Sequence, residues 1–125
     1  VLIAGLLRDS TVRSIILLSG AKFVLPEYSI NEIKKYEDYL LEKSRYSKEE
    51  FKKLMNLLLE KIEIVEKEKI IPFMKIADKI MKDIDLNDSP FIATALAINA
   101  EGIWSFDNHF KRQKIIKVFD TKDFL

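Results

Sequence analysis

Four short apolar runs, each followed or preceded by a segment of helical character, do most to limit what this chain can fold into. They are Lys22-Phe23-Val24-Leu25, stopped by Pro26; Ile62–Val65, interrupted only by Glu63; Ile103–Phe106, stopped by Asp107-Asn108; and Ile115–Phe119. Runs of this length suit buried strands better than helices. The first helix is predicted over Thr11–Ser19, after the start signal Arg8-Asp9-Ser10, with Gly20 as its stop. A long helix is predicted from Ser29 to Lys43, with Ile30, Ile33, Tyr36, Leu40 and Leu41 at helical spacing. Ser47-Lys48-Glu49-Glu50 reads as a capping box before a stripe of Phe51, Leu54, Met55, Leu58 and Leu59. Residues 66–69 read as a charged connection, with Pro72 in the first turn of a helix reaching Met81. An apolar helix is predicted over Ser89–Asn99, burying Phe91, Ile92, Ala95 and Leu96 against the sheet. Strands interleaved with helices in this way imply an α/β fold with a mostly parallel sheet and helices on both faces.

The 125 residues contain three Gly and three Pro, none clustered, so one domain over 1–125 without a linker is expected. Apolar residues at 48% and charged residues at 33% provide both a core and a solvated surface. Lys and Arg total 21 against 20 Asp and Glu. A net charge of +1 gives no bulk attraction for a polyanion, so any nucleic-acid site must be local. The chain has no Cys, which excludes thiolate zinc sites and cysteine nucleophiles, and its one His excludes a multi-histidine metal site. No G-x-x-x-x-G-K-[ST], G-x-G-x-x-G or G-x-S-x-G is present. No apolar run approaches the roughly 18–20 residues that span a bilayer, so a soluble cytoplasmic protein is expected.

Ligands of open parallel sheets bind beyond the carboxyl ends of the strands. Among twenty acids that rule selects Asp107, directly after Ile103–Phe106; Asp88, with Asp85 one turn earlier, at the head of the helix feeding that strand; and Glu32, in the helix after the first run. Carboxylates gathered there repel one another unless a hard cation sits between them, and Mg²⁺ and Mn²⁺ take such oxygen ligands. Each acid also has a plain structural role open to it. Ser29-Ile30-Asn31-Glu32 has capping-box spacing, Asp88 suits an N-cap, Asp107 suits an Asx turn and Asp85 a polar turn. His109 reads as a surface residue or a neighbour of the site. Lys111, Arg112, Lys114 and Lys117 read either as phosphate contacts or as a solvated edge, and Trp104 as a core aromatic.

The stretch from Asp85 to Phe110 begins Asp85-Leu-Asn-Asp88-Ser-Pro-Phe-Ile-Ala and ends Gly-Ile-Trp-Ser-Phe-Asp107-Asn-His-Phe110. It resembles the D-x-x-D-x-P-F-I-A-x-A-L…G-I-W-S-x-D-x-x-F segment of PIN domains of the VapC-toxin kind, small metal-dependent ribonucleases. Pro26-Glu27-Tyr28-Ser29-Ile30-Asn31-Glu32-Ile33 resembles the family's helix with an essential Glu. Val1-Leu2-Ile3-Ala4 resembles the residues after its N-terminal D-x-N, and Ile115–Phe119 with Asp120-Thr121 resembles its last strand and turn. The resemblance implies a three-layer α/β/α fold. It also implies Glu32, Asp88 and Asp107 as metal-binding acids, Ser105 as a hydroxyl helper and Asp85 as a weaker ligand. It further implies Mg²⁺ or Mn²⁺ as cofactor, single-stranded RNA as substrate, an antitoxin as partner, a homodimer and no membrane. The family's first strand and its Asp would precede Val1, so 1–125 is expected to be a PIN-like domain incomplete at its N-terminus. A PIN-like module that has lost catalysis and serves RNA binding or assembly is the competing reading. A generic phosphotransfer domain ranks below both, because the phosphate-loop glycines are lacking.

Overall fold

The computed structural model describes Leu2 and residues 9–125. Apart from Leu2, the Val1–Ala4 stretch lies outside the described residues. Helix α1 spans Ser10–Leu18, and the Asp9 carboxylate caps it by accepting from the Val12 N–H at 3.0 Å. Gly20 follows its end in the left-handed region, at φ 78°. Strand β1, Phe23–Pro26, pairs in parallel with β2, Ile62–Val65, in the register Phe23 to Ile62 and Pro26 to Val65.

The crossover between these strands carries three helices. The long helix predicted over Ser29–Lys43 is two, α2 at Glu27–Lys35 and α3 at Glu37–Ser44, broken at Tyr36. The charges explain the break. Lys34 and Lys35 fall in the last turn of α2, and Glu37 and Asp38 in the first turn of α3. Each pair sits at the helix end whose dipole favours it. Because α2 starts at Glu27, Ser29 lies inside the helix, and its Oγ is buried without a partner. The Ser29–Glu32 capping box therefore does not form. The one at Ser47 does. It opens α4, Lys48–Glu60, with Ser47 Oγ accepting from the Glu50 N–H and Glu50 Oε1 from the Ser47 N–H, both at 3.1 Å.

After β2, α5 spans Lys67–Met81, so residues 66–69 are its cap and first turn and Pro72 lies inside the helix. The early start has a cause outside the local sequence. Glu27, the first residue after β1, accepts the Lys67 N–H at 3.0 Å, and Ile70 must be buried. A carboxylate at this end satisfies an orphan N–H and complements the dipole. A short 3₁₀ turn at Leu86–Asp88 leads into α6, Ser89–Ala97, in which Ile92 and Ala93 are fully buried. Phe91 packs edge-on against Phe110 at 6.0 Å, as its place on the buried stripe requires.

A second parallel pair joins β3, Ile103–Trp104, to β4, Val118–Phe119, with the short helix α7, Asn108–Lys111, between them. Both strands are shorter than the apolar runs predict. Ile115 and Ile116 are withheld from pairing by buried Gln113, whose Oε1 accepts both of their N–H groups while its Nε2 donates to the Phe110 and Ile116 carbonyls. Gly102 makes the second pairing possible: a Cβ there would lie 2.7 Å from the Lys117 carbonyl and from the Phe119 ring. Trp104 stacks at 4.7 Å on Phe124 and at 5.6 Å on Phe23.

Two apolar clusters flank the β1–β2 pair. Val12, Ile16, Ile33, Leu40, Phe51 and Leu58 from α1–α4 lie with Phe23, Leu25 and Ile62. Val65, Ile70, Met81, Ile92 and Phe110 gather on the other side with Val24. Alternate strand residues thus serve opposite cores, which makes an α/β/α arrangement with parallel strands between helical layers.

Candidate metal centre

Asp85, Asp88, Asp107 and His109 come together where β3 ends and α6 begins. Three local devices place them. Asp85 caps the 3₁₀ turn, its Oδ1 accepting the Asn87 N–H at 2.9 Å, which leaves Oδ2 free to face inward. Asp107 caps α7, its Oδ1 accepting the His109 N–H at 2.8 Å. Buried Ser105 in turn accepts the Asp107 N–H on its Oγ at 2.9 Å, so its hydroxyl positions the Asp107 backbone. Asp88 precedes α6 but makes no side-chain cap, and its Oδ2 is buried without a hydrogen-bond partner.

His109 Nδ1 lies 3.5 Å from Asp107 Oδ1, 3.6 Å from Asp85 Oδ2 and 3.9 Å from Asp88 Oδ2. Asp85, Asp88 and His109 each offer a ligand atom within 4.8 Å of the others'. Burial first, then the like charges of Asp85 and Asp107, raise the Asp88 carboxyl above its ordinary value, while His109 acts the other way. A carboxylate held in this way is one that a cation would relieve.

The four expected acids are therefore not equally placed. Asp85, whose first role is the polar turn, stands inside the cluster beside Asp88. Asp107 borders it through His109. Glu32, partly buried on α2, is not in the three-residue group. His109, read from sequence as a surface residue or a neighbour of the site, stands beside all three aspartates. The signal was present in Asp107-Asn108-His109: an N-cap carboxylate that binds the N–H two residues on folds that residue back towards itself. The neighbouring cations have partners within the chain. Lys111 Nζ pairs with Asp120 Oδ1 at 2.9 Å, Arg112 Nη2 donates to the Asp83 carbonyl, Lys114 Nζ to the Lys111 carbonyl, and Lys117 lies over the Phe119 ring.

A family model described as PIN domain matches residues 1–123. The chain belongs to the PIN-domain family. The match agrees with the parallel strands between helical layers, and with the acids found at their carboxyl ends. No curated protein and no solved structure matches the chain significantly. PIN domains are nucleases that bind divalent metal ions, and the donors here fit such an ion. They are carboxylate oxygens with one imidazole nitrogen, and one of those oxygens is buried without a hydrogen bond. Among the described residues no helix of this PIN domain is long and apolar enough to cross a membrane.

Proposed function

We propose that residues 1–125 form a single PIN domain that is a metal-dependent endoribonuclease hydrolysing single-stranded RNA, the toxin of a VapC-type toxin–antitoxin pair. The observation that carries this reading is the buried, unpartnered Oδ2 of Asp88 set among Asp85, Asp107 and His109. Asp85, Asp88 and Asp107 would hold Mg²⁺ or Mn²⁺, and Glu32 is the further acid this reading recruits from α2. A bound ion of this kind lowers the pKa of a coordinated water and neutralises charge at a phosphodiester. The chain's own part is to fix the donors. Asp85 and Asp107 each spend one oxygen on a backbone N–H, which locks the carboxylate plane and leaves the second oxygen for the ion. Ser105 holds the turn that carries Asp107, so its contribution is one of positioning.

On the same reading an antitoxin and a second copy of the chain are the protein partners, and the setting is the cytoplasm. Exposed Leu57, Ile71 and Ile76 are apolar surface suited to such partners. The test is cleavage of a mixed single-stranded RNA by wild type and by Asp107→Asn, with Mn²⁺ and with EDTA. Cleavage is expected from wild type with Mn²⁺ and to fall severely in the variant, because ligands acting as a unit do not contribute additively. Cleavage undiminished by EDTA would refute the reading.

A further inference from the structure

His109 is half exposed, with 48% of its side chain open to solvent, yet its Nδ1 faces inward to three carboxylates. Every one of those separations is 3.5 Å or longer, too long for a good N–H···O hydrogen bond. The spacing suits something else. Two ligand atoms each about 2.1 Å from a shared ion lie about 3.0 Å apart at a right angle and about 4.2 Å apart when opposite. The distances of 3.6 Å to Asp85 and 3.9 Å to Asp88 fall between those limits. The backbone bond from the His109 N–H to Asp107 fixes this aim, so the imidazole is directed by the same turn that directs an acid.

We propose that His109 is a direct ligand of the metal centre and makes it prefer nitrogen-accepting first-row ions such as Mn²⁺, Co²⁺ and Zn²⁺ over Mg²⁺. The inference rests on the metal reading above. Carboxylates and water suit Mg²⁺, whereas an imidazole adds affinity for the later divalent ions and little for Mg²⁺. An all-carboxylate centre would discriminate among these ions far less.

The experiment needs no RNA. Binding of Mg²⁺, Mn²⁺ and Co²⁺ is measured calorimetrically on wild type, His109→Ala and His109→Gln, with circular dichroism to show that each is folded. Pulsed electron paramagnetic resonance of the Mn²⁺-loaded proteins then looks for nitrogen coupled to the ion. Wild type should bind Co²⁺ and Mn²⁺ more tightly than Mg²⁺. Both variants should lose roughly 10–100-fold in Co²⁺ affinity, with Mg²⁺ affinity nearly unchanged. Nitrogen coupling should be present in wild type and absent in both variants. Tight Mn²⁺ binding with no nitrogen coupling, or an equal loss for all three ions in the variants, overturns the role of His109 and leaves the carboxylate centre standing. Failure of wild type to bind any of the three ions overturns the metal reading itself.

Discussion

Replacing Asp88 by Asn should make the metal-free protein more stable, although it damages the site. The Asp88 side chain is 18% exposed and its Oδ2 has no hydrogen-bond partner. Two costs follow from burying it charged. An unsatisfied buried acceptor costs about 1–3 kcal/mol. The Asp85 charge adds repulsion: its ligand oxygen lies within 4.8 Å, where Coulomb's law at an effective dielectric near 20 gives at least roughly 3 kcal/mol. Solvent screens part of this, since Asp85 and Asp107 are 31% and 46% exposed, and His109 opposes it. Asn keeps the shape, removes the charge and recovers part of the whole, so a gain of about 1–2 kcal/mol is expected near neutral pH in EDTA. The sign has a pH signature. The folded-state carboxyl is raised above its ordinary 3.8, so the wild-type penalty is full above the raised value and fades as pH falls from there to 3.8. Urea unfolding of both proteins in EDTA at several pH values measures the difference. A variant no more stable than wild type at neutral pH, or a difference that grows on acidification, would refute the reasoning.

Two further substitutions test how the site is held. Gln113→Ala removes two donated and two accepted backbone bonds at a buried side chain and should cost about 2–4 kcal/mol in urea unfolding, with Gln113→Glu no better because its oxygen would face two carbonyls. Gly102→Ala forces a Cβ to 2.7 Å from the Lys117 carbonyl and should lower stability by about 1–3 kcal/mol, with hydrogen exchange quickening first at Ile103 and Ser105, whose N–H groups bond across the β3–β4 pair.

Local chemistry explains what was legible in the sequence. Asp9 and Ser47 act on residues within one turn of themselves, so α1 and α4 start within a residue of where their sequences place them, while Pro26, read as the stop of β1, is its last paired residue. The β1–β2 pair follows from two short apolar runs separated by a helical crossover. What escaped depends on residues far apart in the chain. The start of α5 at Lys67 involves Glu27, and it leaves Pro72 inside the helix, where its ring nitrogen cannot donate to the carbonyl one turn back. The shortness of β4 needs Gln113, a polar residue that periodicity treats as surface. The break at Tyr36 was written in the charges but was overruled by the apolar spacing. Asp85, Asp88 and Asp107, singled out by their place at strand and helix ends, lie around His109, whereas Glu32, singled out in the same way, is outside the three-residue group. His109 reads from sequence only as a surface residue or a neighbour of the site, because a single histidine carries no spacing pattern of its own.

The bond from Lys67 to Glu27 joins residues forty positions apart, and its consequence concerns the order of events as the chain folds. It cannot form until the intervening loop has closed, and such loop closure is a cost that precedes any return. A contact that waits on this closure is expected to be absent from the rate-limiting barrier and present in the finished fold. It therefore acts as a brake on opening rather than an aid to closing. Glu27→Gln should leave the refolding arm of a denaturant chevron where it is and lift the unfolding arm. A variant that refolds more slowly would place the contact in the nucleus instead. The seam between α2 and α5 is thus set to resist release, at the carboxyl ends of β1 and β2 from which the two helices depart.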